Sequence, residues 1–139
     1  MSATVPVYER IVHLLEAEGI NTLFGIPDPG FIHMAMVCEK RGWKVVAPHH
    51  EQNGAFMADA WSRMTGKPGV CFGTQGPGAA NLATAMIVAR KEGSPTIFFG
   101  GNRSRTANQR ARVGRIQYMN QLDHFKPLVK YAAIIEEPD

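Results

Sequence analysis

Residues 67–101 read K-P-G-V-C-F-G-T-Q-G-P-G-A-A-N-L-A-T-A-M-I-V-A-R-K-E-G-S-P-T-I-F-F-G-G, and this stretch decides the fold class. A short apolar run (67–73), a turn rich in glycine (74–81), a helical segment (82–92) and a second apolar run (96–101) follow one another. Two strands joined through a helix of this length pair in parallel, because the helix crosses over one face of the sheet. The stretch therefore predicts a β-α-β unit.

The same alternation extends over the rest of the chain. Apolar runs at 22–26, 43–48 and 128–135 predict three further strands, and residues 31–41 predict a helix between the first two of them. Strands that alternate with helices of ten or more residues are typical of a parallel sheet that is covered on both faces. We therefore predict one α/β domain with a doubly wound, mostly parallel sheet.

Two more helices are predicted from apolar residues at helical spacing. The first has a possible cap at Thr4, Pro6 in its first turn and Gly19 as its stop, and its apolar positions are Val7, Ile11, Leu14 and Leu15. The second follows Glu51, and its shared face consists of Ala55, Phe56, Ala60, Trp61 and Met64.

Composition narrows the class of protein. The 139 residues are 45% hydrophobic and 19% charged, which fits one globular domain with a core. The net charge of +3 is far below that of a dedicated nucleic-acid binder. Cys38 and Cys71 lie far apart in apolar surroundings, so we expect buried thiols in a reducing compartment. With no signal-like N-terminus or membrane-spanning run, the sequence predicts a cytoplasmic protein without a membrane partner.

Polar chemistry gathers where the predicted strands end. Parallel sheets bind ligands at the carboxyl ends of their strands, and segments 24–30, 48–52 and 73–81 all fall there. Glu51 is thereby flanked by two turns rich in glycine and proline, which let a ligand approach the backbone closely. An acidic residue in the first turn of a helix also has a purely structural explanation, because it interacts favourably with the helix dipole. On these grounds alone the two interpretations of Glu51 have equal weight.

Familiar nucleotide and metal motifs are missing. The G-P-G at 76–78 lacks the Lys-Ser/Thr of a P-loop and does not match G-x-G-x-x-G. No histidine or cysteine has a partner at metal-ligand spacing, and we predict no metal ligands in this chain.

Segment 102–117 is rich in arginine. Its five arginines are Arg103, Arg105, Arg110, Arg112 and Arg115. A solvated surface segment is the simpler interpretation. The alternative is a clamp for an anion such as a phosphate, but the segment has no interleaved aromatic residues to stack on bases, so we predict no nucleic-acid partner.

Four stretches together resemble a known family. They are F-G-I-P (24–27), H-E-Q-N-G-A-F-M-A-D-A-W-S-R-M-T-G-K-P-G-V (50–70), T-Q-G-P-G-A-A-N-L-A-T-A (74–85) and S-P-T-I-F-F-G-G (94–101). In this order they are similar to the N-terminal pyrimidine-binding domain of thiamine diphosphate-dependent enzymes, above all of the acetolactate synthase-like group. The resemblance covers nearly the whole chain and implies the thiamine diphosphate-binding fold.

The resemblance implies specific roles for individual residues. Glu51 corresponds to the glutamate that hydrogen-bonds a ring nitrogen of the cofactor's aminopyrimidine, and Gln117 to a glutamine at the substrate. The implied cofactor-binding residues are Glu51, Pro27, Thr74, Gly76 and Asn81. The implied substrate-side residues are Gly25, Gly30, Gln75 and Asn102.

Departures from the family pattern fall on the substrate side. P-D-P-G (27–30) stands in place of the usual P-G-G, Gln75 stands where serine is common, and Asn102 stands where glutamine is frequent. These changes concern the identity of the substrate more than the use of the cofactor.

The resemblance also implies what completes the site. In the family a central domain and a diphosphate-binding domain follow, and the latter holds Mg²⁺ and the diphosphate of thiamine diphosphate. We therefore expect residues 1–139 to form a pyrimidine-binding domain that lacks its last helix and strand, pairs with a diphosphate-binding domain and belongs to a homo-oligomer. The implied reaction is decarboxylation or carboligation of a 2-oxo acid, with an inactive isolated chain. The alternatives are a part of a CoA-thioester decarboxylase and a non-catalytic assembly or regulatory module.

Overall fold

A computed structural model of the chain describes residues 5–102 and 117–135. Four strands and six helices alternate in these residues. In chain order they are α1 (Val7–Ala17), β1 (Thr22–Gly25), α2 (Ile32–Lys40), β2 (Lys44–Val46), α3 (Glu51–Thr65), β3 (Gly69–Gly73), α4 (Pro77–Ala80), α5 (Ala83–Glu92), β4 (Thr96–Gly100) and α6 (Gln121–Phe125).

The four strands form one parallel sheet in the order β2-β1-β3-β4. The register pairs Leu23 of β1 with Val45 of β2 on one side and with Val70 of β3 on the other. The chain passes from β1 to β2 on one side of β1 and then crosses to β3 on the other side. The helical connections therefore lead in opposite directions from the point between β1 and β3. Ligands of open α/β sheets bind at such a divergence, beyond the carboxyl ends of the strands. The predicted α/β fold class is confirmed.

Helices cover both faces of the sheet because the side chains of each strand alternate between them. Leu23, Val70 and Phe72 point to the face that α1 and α2 cover. Phe24 and Cys71 point to the opposite face, where α3, α4, α5 and α6 pack. Every residue of β1 and β3 is buried, as expected for central strands of a parallel sheet.

Helix α3 packs on the sheet through small side chains, which the sequence pattern did not indicate. Its buried residues are Gly54, Ala55, Ala58, Asp59 and Ser62. Two residues of the predicted apolar face, Ala60 and Met64, are exposed instead, Met64 to 86%. The reason is the short distance between helix and strand: a Cβ at Gly69 would overlap the carbonyl oxygen of Ala58. Large side chains cannot enter so narrow a gap.

Ser62 closes this contact with hydrogen bonds. Its hydroxyl donates to the carbonyl oxygen of Pro95 at 2.7 Å and accepts the backbone N–H of Gly69 at 2.8 Å. One buried side chain thus joins α3 to the first residue of β3 and to the chain entering β4.

Both thiols are free and fully buried, as predicted. Burial raises the pKa of the Cys38 thiol to about 11, because an apolar environment disfavours the thiolate. Cys38 therefore acts as a small core residue rather than as a nucleophile.

The predicted strand at 128–135 is wrong. Residues 126–130 form turns and a bend, and residues 131–135 have no regular structure. Leu128 and Val129 pack against the second core cluster, but Tyr131 and Ile135 are 82% and 61% exposed. In the part of the chain that the structure describes, no strand pairs with this segment, and an apolar run forms a strand only where a neighbouring strand completes its backbone hydrogen bonds.

The other boundaries deviate slightly or cannot be compared. Helix α1 begins after Pro6 and ends before Gly19, as predicted, while Thr4 lies outside the described residues. The single helix predicted after the glycine-rich turn is divided into α4 and α5.

The arginines of 103–116 also lie outside the described residues. No helix in 5–102 or 117–135 is long and apolar enough to cross a membrane.

Two glycines that follow α3 allow the close packing to be tested. Gly69→Ala forces a methyl group into the carbonyl of Ala58, and we expect a loss of about 3 kcal/mol or more in the free energy of unfolding. Gly66→Ala has open space but retains a left-handed φ of 69°, so its expected loss is smaller, about 1 kcal/mol. Urea unfolding of both variants measures the difference, and equal losses would contradict the packing argument.

Candidate functional site

Glu51 is the first residue of α3, directly after the loop that leaves β2. The helix begins here because His50 caps it: the backbone N–H of Gln52 donates to Nδ1 of His50 at 3.2 Å. An acceptor at Nδ1 means that a neutral His50 carries its hydrogen on Nε2. The cap fixes the backbone of Glu51, whose half-buried side chain lies at the carboxyl edge of the sheet.

The two oxygens of the Glu51 carboxylate have different surroundings. Oε2 accepts a hydrogen bond of 2.9 Å from Nδ2 of Asn81. Oε1 lies beside Gly78, 3.0 Å from the position that a Cβ would take there. One oxygen is therefore held by an amide, while the other lies against a backbone that carries no side chain.

Asp28 connects the turn after β1 with the turn after β3. Its Oδ1 accepts the backbone N–H groups of Gly30 and Phe31 at 3.0 and 3.1 Å. Its Oδ2 accepts the hydroxyl of Thr74. The hydroxyl hydrogen of Thr74 is thereby committed to Asp28, and Thr74 presents lone pairs to any further partner.

Thr74 and Glu51 meet at Gly78. A Cβ at Gly78 would overlap the methyl group of Thr74 and press on Oε1 of Glu51. A glycine is thus required here for space, because two side chains from different elements converge on its Cα. The contacts form one continuous arrangement, from Asp28 through Thr74 and Gly78 to Glu51 and Asn81.

Gly76 is required both for its conformation and for space. It has φ +56° as the residue before α4, and a Cβ there would overlap the backbone carbonyl of Gln117. Gln117 itself has φ +64°, a value that non-glycine residues seldom adopt. Unfavourable backbone conformations of this kind concentrate at functional sites, where the surrounding structure maintains them.

The turn after β3 also contacts the end of β4. The backbone N–H of Gly101 donates to the carbonyl of Gly73 at 2.9 Å, which extends the strand pairing. Gln75 lies against Gly101, and Nε2 of Gln121 donates to the Gly101 carbonyl at 2.5 Å. Asn102, which follows, is exposed at the same edge of the sheet.

Beneath Glu51 the site is apolar. Gly54, one turn along α3, faces the thiol of Cys71 and the backbone of Gly25. Burial, and secondarily the charge of Glu51, raise the pKa of the Cys71 thiol to about 12. Cys71 therefore stays protonated and forms part of the floor rather than a reactive group.

The structure brings the residues singled out in the sequence to one edge of the sheet. Glu51, Thr74 and Asn81 form the central group around Gly78, and Gly76 contacts Gln117. Gly25 is the last residue of β1, Pro27 and Gly30 lie in the turn that follows it, and Gln75 and Asn102 lie towards β4. This placement does not test their individual roles.

Asp28 and Gly78 are structurally central but were not among the predicted site residues. Asp28 had a signal in the sequence, because an aspartate two residues before a glycine often accepts backbone N–H groups in a turn. Its contact with Thr74, 46 residues away, had none. The need for a glycine at position 78 arises from the packing of two distant side chains and has no local signal either.

This arrangement can hold a polar ring nitrogen or a similar group at a carboxyl oxygen. The helix dipole also favours Glu51 at its position, by about 0.3 to 1 kcal/mol, but it does not explain why Asn81 donates to one carboxylate oxygen while the other lies beside Gly78. Within residues 5–102 and 117–135, no three metal-ligating side chains lie close enough to hold a metal ion.

Known proteins resemble this chain. The profile of a family described as thiamine pyrophosphate enzyme, N-terminal TPP binding domain, matches residues 6–126. The chain is 37% identical over 129 residues to the acetolactate synthase of Bacillus subtilis (strain 168), covering 93% of this chain and 22% of that enzyme. It is 35% identical over 127 residues to 2-hydroxyacyl-CoA lyase 2 of Bos taurus, covering 91% and 20%. It therefore spans about a fifth of the length of these relatives.

The role of Asp28 as a link between two turns can be tested by substitution. Asp28→Ala removes the acceptor of the Gly30 N–H and the partner of Thr74, while the Phe31 N–H keeps the backbone carbonyl of residue 28 at 3.0 Å, so we expect a loss of about 1 to 2 kcal/mol in unfolding free energy. Asp28→Asn keeps an oxygen for Gly30 and Phe31 and offers an amide to Thr74, so we expect a change within about 0.5 kcal/mol.

Urea unfolding and amide hydrogen exchange at Gly30 provide the measurements. Exchange at this amide should accelerate in Asp28→Ala and remain slow in Asp28→Asn, while Phe31, which also donates to the backbone carbonyl of residue 28, serves as an internal reference. Unchanged exchange in Asp28→Ala would show that the turn does not depend on this carboxylate.

Proposed function

Because this chain belongs to the thiamine pyrophosphate enzyme family, as its N-terminal cofactor-binding domain, we propose that it binds the pyrimidine half of thiamine diphosphate within a larger decarboxylase or carboligase. The observation that carries this proposal is the Glu51 carboxylate, with Oε2 held by Asn81 and Oε1 at Gly78. The acetolactate synthase relatives support it.

The residues present fit an aminopyrimidine. Such a ring needs a carboxyl group at one of its nitrogens and a surface free of protruding side chains for its flat body. Glu51 supplies the carboxyl group, and the glycines at 76 and 78 keep the adjacent backbone bare. The apolar floor at Cys71 limits access of water from below, which strengthens a hydrogen bond to the carboxyl group.

Each side chain of this domain has a definite task in the proposal. When bound, the cofactor would supply a thiazolium carbon that becomes a nucleophile on deprotonation and a ring that can accept an electron pair. Glu51 holds a proton at Oε1, between its carboxyl group and the ring nitrogen, and so sets the protonation of the aminopyrimidine. Pro27, Thr74 and Gly76 line the cofactor side.

The substrate is proposed to lie against the residues nearer the turn after β1 and the end of β4. These are Gly25, Gly30, Gln75 and Asn102, with Gln117 as a polar contact. Gln75 and Asn102 follow neighbouring strands, β3 and β4, which supports a role for both in selecting the substrate. Asp28 shapes the same side indirectly, because it orders Gly30 and Phe31.

The complete site requires more than this domain. We propose that Mg²⁺ and the diphosphate are held by a diphosphate-binding domain elsewhere in a homo-oligomeric assembly, and that the isolated chain does not turn over substrate. The chain covers only about a fifth of the length of its relatives, which supports this division of the site between domains. The cytoplasmic location stays a prediction from the two buried thiols.

A 2-oxo acid is the proposed substrate, by analogy with the acetolactate synthases. The 35% identity to 2-hydroxyacyl-CoA lyase 2 favours a second candidate, cleavage of a 2-hydroxyacyl-CoA. A hybrid in which this chain replaces the matching part of the Bacillus subtilis enzyme allows a comparison. Release of carbon dioxide from pyruvate supports the first candidate, and cleavage of a 2-hydroxyacyl-CoA supports the second.

Glu51→Gln tests the proposal directly. The probe is 4-amino-5-hydroxymethyl-2-methylpyrimidine, the pyrimidine half of thiamine, titrated into the chain by calorimetry or NMR. A charged hydrogen bond contributes about 1.5 to 3 kcal/mol, so we expect affinity to fall by about tenfold or more. Glu39→Gln, the same change on the exposed surface of α2, is the control and should bind like the parent chain.

Equal affinity of Glu51→Gln and the parent chain would contradict the assigned role. In the hybrid enzyme, loss of turnover with intact assembly would support catalysis. Unchanged turnover would instead favour the alternative of a non-catalytic module.

Gly78→Ala tests the space around the carboxylate. The added methyl group displaces Thr74 and Oε1 of Glu51, so we expect a folded chain whose affinity for the same pyrimidine is lower by about tenfold. Gly42→Ala, which has open space and a left-handed φ of 79°, should lower the melting temperature without weakening binding. The proposal fails here if Gly78→Ala binds as tightly as the parent chain.

A further inference from the structure

Asn81 contacts the proposed catalytic carboxylate rather than projecting alone into the site. Its Nδ2 donates to Oε2 of Glu51 at 2.9 Å, across 30 residues of sequence, from the residue that directly follows α4 to the first residue of α3. The family resemblance implies that Asn81 binds the cofactor. The hydrogen bond to Glu51 is a contact that this implied role does not include.

We propose that Asn81 is a positioning residue that occupies Oε2 of Glu51 and so directs Oε1, with its proton, towards the aminopyrimidine nitrogen. This inference rests on the proposed function. In this inference Asn81 affects the cofactor only through Glu51 and does not itself contact the cofactor.

The backbone of Asn81 is well anchored for this task. Its N–H donates to the carbonyl of Pro77 at 3.0 Å, and Ala80 before it donates to Gly76 at 2.8 Å. Leu82 after it is fully buried in the core. The amide therefore projects from a short, fixed turn, whereas Glu51 has a longer side chain with more rotamers to lose.

The chemistry of a carboxyl group explains why one occupied oxygen matters. An amide N–H that donates to Oε2 uses a lone pair there and opposes the approach of a proton to the same atom. A proton shared with a ligand is then held at Oε1, beside Gly78. Without Asn81 the plane of the carboxyl group could turn away from the ring nitrogen, and the proton could reside on the oxygen that does not face the ring.

A purely structural role for the side chain of Asn81 has less support. The residue before α5 at its amino end is Leu82, and no side chain caps that helix. The Asn81 backbone satisfies the end of α4 without help from the amide. The hydrogen bond to Glu51 is thus the contact that the described structure assigns to this side chain.

An exchange of the two functional groups tests the proposal. Asn81→Asp is nearly isosteric but replaces the donor by a second carboxylate, which repels Glu51. The double variant Glu51→Gln/Asn81→Asp restores an amide-to-carboxylate hydrogen bond with its direction reversed. Asn81→Ala removes the donor without adding charge, and Asn53→Asp adds the same charge at an exposed position of α3 as a control.

Each variant is measured as the full chain, by its melting temperature and by its affinity for 4-amino-5-hydroxymethyl-2-methylpyrimidine. We expect Asn81→Asp to lose about tenfold or more in affinity, and more than Asn81→Ala. If the side chain of Asn81 served only packing, Asn81→Ala would lose more affinity than Asn81→Asp, because aspartate preserves the shape that alanine removes. Asn53→Asp should bind like the parent chain.

The double variant separates stability from positioning. We expect its melting temperature to return to within a few degrees of the parent value, about the scale of 1 kcal/mol, while its affinity stays low because the carboxylate is at the wrong position. Parent-like affinity of Asn81→Asp or of the double variant would overturn the proposal.

The same titrations distinguish this inference from the proposed function. If Glu51→Gln weakens binding but Asn81→Asp and Asn81→Ala do not, the role of Asn81 fails and the proposed function stands. If the parent chain does not bind the pyrimidine, or Glu51→Gln binds equally well, both fail.

Discussion

The close packing of α3 against β1 and β3 is the constraint on which the candidate site depends. Gly69 admits the carbonyl of Ala58, and Gly54 admits the thiol of Cys71 and the backbone of Gly25. A helix that lies so near the sheet has its amino end fixed relative to the strand ends. The carboxylate of Glu51 is therefore carried to the edge by rigid packing, which is how precise sites are usually supported.

A second constraint acts at that edge, where three loops must approach one another. Because Gly78 has no side chain, Thr74 and Glu51 can both approach it. Because Gly76 has none either, the backbone of Gln117 can lie against it. Asp28 and Asn81 then supply the hydrogen bonds that hold the loops in register. These partly buried polar groups serve as one another's hydrogen-bond partners, which makes the arrangement specific.

Much of this fold was predictable, and the errors have identifiable causes. The four strands from Thr22 to Gly100 were predicted because buried parallel strands are short apolar runs bounded by glycine and proline. The run at 128–135 has the same composition but no strand beside it in the described structure. The predicted face of α3 holds for Ala55, Phe56 and Trp61, which lie in or against the core, and is wrong for Ala60 and Met64, because small residues make the close contact with the sheet and hydropathy patterns weight large ones.

The sequence by itself determined the fold class, the position of Glu51 at a strand-helix junction and the resemblance to thiamine diphosphate enzymes, because these depend on local periodicity and on motifs in a fixed order. The tertiary structure alone decided which residues touch the carboxylate. The Asn81–Glu51 and Asp28–Thr74 hydrogen bonds join residues 30 and 46 positions apart. Their geometry follows from how closely helices and strands pack, and no local pattern encodes that distance.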